Sequence, residues 1–295
     1  MDDMPLVSII MPTYNQTTAF KRAVDSVLKQ SYQNIELIII DDNKDKKLKE
    51  QNETFIKSLN INKIIYLQND SNIGSTASRN RGIFSSNGQY ITFLDDDDEY
   101  LVNKVKNQVT EMIAKDADFS ATNVKIYNEL GKLVDSRNRK YLNKKKNESL
   151  FIKHLKYHIT STNTLMFKSD YLKRIGGFDS ENLGDEFYLM AKAFQNNGKF
   201  IHIDTCDVKA YVHSKTGLSS TDNKVIGEEK LFKYKSNYFN EMKKSDIRYI
   251  KMRKYAVLAY AYKKSKKYGK CFCNLVKSFF LSPLDVIRLC LGYDK

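Results

Sequence analysis

The densest chemistry in the chain lies in residues 89–100, QYITFLDDDDEY. Residues 90–94 (YITFL) are rich in aromatic and β-branched side chains, the composition of a strand. Asp95, Asp96, Asp97 and Asp98 follow, with Glu99 behind them. Four adjacent negative charges repel one another and must be solvated, protonated or bound to something positive. In an extended backbone Asp95 and Asp97 point to one side, Asp96 and Asp98 to the other. Carboxylates on one side then lie roughly 6–7 Å apart, close enough to share a hard divalent cation and the phosphates it carries. The competing reading is an acidic turn that caps a helix starting near Leu101. An EF-hand loop does not fit, because its glycine and distal glutamate are missing.

The elements that must carry this turn are readable on either side of it. Residues 6–11 (LVSIIM), 35–40 (IELIII) and 63–67 (KIIYL) are short apolar, β-rich runs. Between them, residues 17–30, 46–59 and 75–86 have helical spacing, with Phe20, Val24, Val27 and Leu28 on one face of the first. Strand–helix alternation with short connections predicts a mostly parallel α/β sheet. In such sheets ligands bind beyond the carboxyl ends of the strands. The clusters at residues 13–15, 41–43, 68–74 and 95–98 each follow a strand and are expected on one rim. A dinucleotide-binding domain and a P-loop both need a glycine-rich loop after the first strand. That place holds MPTYNQTT, without glycine.

The second half predicts a helix over residues 101–114, one strand over 118–127 and a hairpin turn at 128–131. Residues 137–146 form a basic surface loop, with a lid over a phosphate-bearing ligand as the lesser alternative. Further strands are expected at residues 162–167, 200–203 and 208–213, with helices at 171–175 and from Gly184 to about Gly198.

With these residues assembled, the chain resembles a family 2 glycosyltransferase of the GT-A fold over about residues 5–221. The carrying segments are VSIIMPTYN, IELIIIDDN, NIGSTASRNRG, FLDDDDE, GGFD with GDEFYLMAKAFQNNG, and YVHSKTGLSS, in the family's order. The resemblance implies a Rossmann-like, mostly parallel sheet flanked by helices, in a catalytic domain of residues 1–226. Residues 1–100 would form the nucleotide-sugar half and 101–226 the acceptor half. It implies inverting transfer from a nucleotide sugar, often a UDP-sugar, to an acceptor hydroxyl, assisted by Mn²⁺ or Mg²⁺. Pro12, Thr13, Tyr14, Asp42, Asn72, Gly74, Arg79, Asp95 and Asp96 would bind the donor. Asp42 would accept an N–H from the base, or else cap the next helix. Arg79 would meet the base or diphosphate, or else lie on a solvated helix face. Asp97 and His213 would hold the metal. Glu186 or Asp185 would be the general base that such a displacement needs. The family more often has the order Glu-Asp, so which carboxylate serves is left open. The opposed reading is a non-catalytic nucleotide-sugar-binding or scaffold protein.

Charge separates the rest. Of a net charge of +14, residues 230–295 carry 17 − 4 = +13, leaving a near-neutral body and a basic tail. Residues 227–295 read as two or three basic amphipathic helices, suited to an anionic membrane surface or to a solvated or oligomeric face. Such a surface would bring the enzyme to a glycan or lipid-linked acceptor. Nucleic acid is not expected, because no nucleic-acid motif accompanies the charge. Four cysteines without a paired framework fit a reduced, cytoplasmic setting, and Cys271 and Cys273 are expected in core packing. The start, MDDMPLVSII, does not read as a signal peptide. No uninterrupted apolar run is long enough to span a bilayer, so attachment, if any, is peripheral, on the inner face of the plasma membrane.

Overall fold

Aliphatic strands alternating with amphipathic helices must stack as layers to bury both sets of apolar faces. They do so in the computed structural model, which describes residues 4–15, 18–139, 142, 149–159, 161–180, 184–212 and 221–290. Along the chain run Val7–Thr13 (β1), Thr18–Leu28 (α1), Ile35–Asp41 (β2), Lys46–Leu59 (α2), Ile64–Gln68 (β3), Ser75–Ser85 (α3) and Tyr90–Phe93 (β4). Then come Glu99–Tyr100 (β5), Lys104–Ala114 (α4), Phe119–Thr122 (β6), Val124–Asn128 (β7), Leu133–Arg137 (β8), Leu150–Tyr157 (α5), Leu165–Lys168 (β9), Ser169–Arg174 (α6), Asp185–Gln195 (α7), Phe200–Ile203 (β10) and Val208–Val212 (β11). The last helices are Thr221–Ser236 (α8), Lys244–Lys264 (α9), Tyr268–Leu281 (α10) and Pro283–Cys290 (α11). They fall into two units, Met1–Arg139 with Ile159–Val212, and Lys140–His158 with His213–Lys295.

The first unit is built on a seven-stranded sheet of order β10-β6-β9-β4-β1-β2-β3. β9 pairs antiparallel with both its neighbours, and every other pairing in the sheet is parallel. Continuous burial along β1 and β2 explains their unbroken apolar runs, since both faces are covered by helices. Pro12 sits in β1 beyond Ile10, where the pairing to β4 stops, so its missing N–H costs the sheet nothing on that side.

A second sheet, of order β5-β11-β7-β8, corrects the expectation of one strand over residues 118–127. The run breaks at Asn123, whose side chain donates to Asp204 at 2.7 Å and accepts from the Arg139 N–H at 3.0 Å. That buried amide pins a corner where the chain passes from one sheet to the other. Helix α4 begins at Lys104 rather than near Leu101, and residues 162–164 form a 3-10 turn before β9 rather than its first residues.

In the second unit α9 carries the small core, where Tyr249, Met252 and Val286 meet Tyr157 and Leu281. A buried ion pair joins Lys156 to Asp246 at 2.7 Å, and Arg253 donates to the Lys156 carbonyl at 2.7 Å. The tail has four described helices instead of two or three, because Ser282-Pro283 ends α10 and starts α11. Cys273 is exposed and Cys271 half-buried, so the expected core packing fails for Cys273. No described helix is long and apolar enough to cross a membrane.

Candidate active site

The register of the sheet sets Thr13, Asp41 and Gln68 side by side at the ends of β1, β2 and β3. The loops that follow are bonded to one another. Asn15 N–H donates to the Asn43 amide oxygen at 2.7 Å, and Tyr14 N–H donates to Asp96 at 3.0 Å. The expected convergence of polar strand ends on one rim is therefore present.

Asp41 and Asp42 are both buried, and both carboxylates are fully engaged. Asp41 accepts from Asn43, from Asn52 at 2.9 Å and from the Tyr66 hydroxyl at 2.5 Å. Asp42 accepts four bonds of 2.8–2.9 Å, from the Asn69 and Asn72 amides and the Ile73 and Gly74 N–H groups. A carboxylate has about four acceptor sites, and all of Asp42's serve the loop at residues 69–74. Asn72 and Gly74 thus act on the rim through Asp42. Gly74 takes φ of 87°, in the region that favours glycine. Asp42 is not the cap of the next helix; Asp45 is, accepting from Lys47 N–H at 2.8 Å.

The four aspartates do not continue the strand. Asp98 N–H closes a turn on the Asp95 carbonyl at 3.1 Å, so the alternating geometry expected of an extended backbone is replaced by a fan. The physical reason is that Asp95, Asp96 and Asp98 each find their own donors. Asp95 pairs with Arg79 at 2.6 Å. Asp96 takes the Tyr14 N–H, and Asp98 takes the Tyr211 N–H at 2.7 Å and the Asn163 amide. Asn163 also accepts from Asp95 N–H at 3.0 Å, so one buried side chain spans the turn. On the other side Arg22 donates to the Asp97 carbonyl at 2.7 Å, pairs with Glu99 at 2.9 Å and lies over the Tyr211 ring. The turn caps no helix, for the start of α4 carries no side-chain cap.

Burial, with the charges of Asp97 and Asp95 adding to it, pushes Asp96 up to about 7 despite bonds that favour its charged form. Asp98 is pushed well up for the same reasons. This negative excess, all in carboxylate oxygen, is the chemistry of a hard divalent cation. Thr13 beside it keeps a buried hydroxyl without a well-aligned partner. Among the described residues no three His, Cys, Asp or Glu side chains converge to hold an ion. The turn's carboxylates would suit an ion that arrives with most of its ligands already bound, as Mg²⁺ does with substrate phosphates. His213 and residues 216–220 lie outside the described residues, as does most of the basic segment at residues 137–146.

Helix α3 interlocks the other motifs. Arg79 is buried, with Nη2 on Asp95 and Nη1 on Asp185, each at 2.6 Å, and its guanidinium 5.5 Å from the Phe178 ring centroid. It is therefore neither a solvated residue nor one with a free fork. Asn80 holds the Phe178 backbone by a donor and an acceptor bond, both 2.8 Å. Arg81 returns to the Gln68 carbonyl at 2.7 Å. The acidic pair opens α7, where negative charge suits the helix N-terminus. Asp185 is buried on Arg79, whereas burial and the hydrogen bond to Asp185 push Glu186 up to about 8. Glu186 is thus the carboxylate whose proton moves near neutral pH, and Asp185 is the one committed to an ion pair.

Arg22, Asn163 and Tyr211 were not marked by the sequence as site residues. Below the turn, fully buried Lys104 donates to Thr92 and, at 2.9 Å, to the Tyr100 hydroxyl, and burial holds its amine well below the usual range.

The family model described as "Glycosyl transferase family 2" matches residues 8–175, more than half of the chain. WcaA of Escherichia coli K12, provisionally named a colanic acid biosynthesis glycosyl transferase, is 44% identical over 105 residues, 36% of this chain and 37% of that protein. The E. coli protein WfgD, named UDP-Glc:alpha-D-GlcNAc-diphosphoundecaprenol beta-1,3-glucosyltransferase, is 36% identical over 139 residues, 45% of this chain and 52% of its own. The chain thus spans about half or less of the length of these curated relatives. Among solved structures, S. aureus TarS 1-349 in complex with UDP-GlcNAc superposes with a TM-score of 0.58 at 16% identity, over 93% of this chain and 91% of that one. At that identity the likeness shows the fold, which is GT-A.

Proposed function

The chain belongs to glycosyl transferase family 2, and we propose that it moves a sugar from a UDP-sugar to a hydroxyl of a glycan or lipid-linked acceptor. The setting is synthesis of a bacterial surface polysaccharide, at the inner face of the plasma membrane. Relatives named for colanic acid synthesis and for a UDP-glucose reaction on a diphosphoundecaprenol acceptor support it. So does a neighbour crystallised with UDP-GlcNAc. The observation that carries the reading is the Arg79 bridge, which ties the acidic turn to the acidic helix. Four carboxylates at a strand end and two more at a helix start are ordinary apart. Joined through one buried guanidinium, they are a donor half and an acceptor half in fixed register.

In this reading Thr13 and Tyr14 line the donor base pocket, and Asp42 shapes it by holding the loop of Asn72 and Gly74. Asp97 would hold a divalent cation, Mn²⁺ or Mg²⁺, together with His213; when bound, the ion supplies charge to the departing diphosphate. Glu186 takes the proton of the acceptor hydroxyl as that oxygen attacks the anomeric carbon opposite the leaving group, giving inversion. A base whose proton affinity lies near the working pH is the efficient choice. Asp185 orients Glu186, and Arg79 orients Asp185.

The test is binding and hydrolysis of a panel of nucleotide sugars, with Mn²⁺ or with EDTA, in wild type and Asp97→Asn. Turnover of one UDP-sugar that both chelation and the substitution abolish is the expected result. Failure of every donor to bind in either condition overturns the pocket and metal assignments together.

A further inference from the structure

Helix α10 wears its side chains the wrong way round for a solvent-facing helix. The stripe turned inward is mostly small or polar, with Leu281 closing it against the core: Cys271, Asn274 and Ser278 are half-buried or buried, and Ser278 donates to the Met252 carbonyl of α9 at 2.9 Å. Small side chains there let the two helices approach closely. The stripe turned outward is Tyr268, Phe272, Leu275 and Phe279, at spacings of four, three and four that keep one helical face. Phe280, Leu284 and Ile287 continue the exposed apolar surface onto α11. Exposures of 67% for Phe272, 82% for Phe280 and 70% for Leu284 are far from those of a core. Large apolar side chains exposed in this number mark an interaction site.

The charge of this segment selects the occupant. Residues 263–288 carry seven Lys or Arg (Lys263, Lys264, Lys266, Lys267, Lys270, Lys277 and Arg288) against Asp285 alone. A second copy would bring the same positive surface against this one. An anionic bilayer offers both what the aromatics need and what the lysines need. A helix of 14 residues, about 21 Å long at 1.5 Å per residue, is too short to cross the bilayer and suited to lie along its surface.

We infer that the outward face of α10 and α11 docks on an anionic lipid bilayer, with Phe272, Phe279 and Phe280 entering the headgroup boundary and the lysines on the headgroups. This rests on the transferase reading only for its purpose, which is to hold the enzyme where a lipid-linked acceptor lies.

The chain has no tryptophan, so Phe280→Trp in the full chain gives a single reporter. Vesicles of equal parts phosphatidylglycerol and phosphatidylcholine should shift its emission to the blue, and brominated lipid should quench it. Pure phosphatidylcholine should do neither. Phe84→Trp, an exposed position on α3, should stay unchanged. Replacing Phe272, Phe279 and Phe280 together by serine should weaken co-sedimentation with the anionic vesicles roughly tenfold or more, and leave donor hydrolysis intact. No shift with anionic vesicles, or an equal shift with neutral ones, overturns the inference. So does self-association in ultracentrifugation that the triple variant abolishes while wild type ignores vesicles, which would make the face a contact between copies. Failure of donor binding in an enzyme that still docks overturns the donor-pocket assignment and leaves this inference standing.

Discussion

Two regions of this molecule break the usual rule of burial in opposite directions. On the strand-end rim, charged groups lie inside: Asp41, Asp42, Arg79, Asp98 and Asp185 are all buried. On α10 and α11, large apolar groups lie outside. At the rim nearly every exception is answered within the protein, by N–H donors on Asp42 and by paired carboxylates on Arg79. A buried charge without such partners costs several kcal/mol, so the rim exists only as a closed set. An exposed phenylalanine costs far less and needs no answer inside the fold. The rim's exceptions are thus part of what holds the larger unit together, whereas those of α10 are addressed to something else.

The largest expected effect tests the rim as chemistry. Glu186→Gln keeps the shape of the side chain and removes the base, and should lower the transfer rate by about 10²–10⁴-fold with unchanged donor binding. Asp185→Asn should weaken donor binding as well, because it loosens Arg79 and with it Asp95. Equal and modest losses in rate for both would break the assignment of roles. Arg79→Met tests the rim as structure. It leaves two carboxylates without their shared cation, and unfolding in urea should show a loss of about 3–5 kcal/mol. A loss near zero would mean that the bridge is incidental.

Smaller effects sharpen the same contrast. Asn163→Ala strips one donor from Asp98 and one acceptor from Asp95 N–H, at about 1–3 kcal/mol. The acidic turn also predicts a pH dependence. Asp96 and Glu186 are both raised, to about 7 and about 8. The folded chain therefore holds protons that the unfolded chain has released. Their contribution is fully present below the ordinary carboxylate range and is lost as pH rises through 7 and 8. Melting temperature should fall between pH 5 and pH 8, and Asp96→Asn should flatten the slope. Mn²⁺ with UDP should restore stability at pH 8; a profile that they leave unaltered would count against the metal at this turn.

How much of this was legible beforehand depends on the range of the interaction. The parallel core was, because strands such as IELIII and helices such as residues 46–59 declare themselves in their own period; α2 begins and ends where its pattern does. The rim followed from strand direction alone. What the sequence hid was partner choice. The run of residues 118–127 reads as one strand, and only the Asn123 bonds to distant Asp204 and Arg139 show why it divides. Arg79 was marked by its type, but the carboxylates it holds come from 16 and 106 residues away. The fan of the aspartates needed Tyr14, Asn163 and Tyr211, three residues with nothing local in common. The facing of α10 was hidden for a different reason. An apolar run predicts burial, and nothing in residues 271–281 says that Cys271, Asn274 and Ser278 would turn in while Phe272 and Phe279 face out.

That reversed facing gives the smallest and most exacting prediction. If the aromatics of α10 belong to the fold, trimming one must uncover surface or open a cavity, and Phe→small changes in cores cost about 3–5 kcal/mol. If they face outward to meet a bilayer, Phe280→Ser removes a ring that was already in water, and surface changes stay within about ±0.5 kcal/mol. Phe280 is 82% exposed, so the urea midpoint of Phe280→Ser should match wild type in the absence of lipid. With anionic vesicles present the two should separate, since only wild type gains from docking. A midpoint that drops without lipid would return this ring to the core and remove the contrast with the rim.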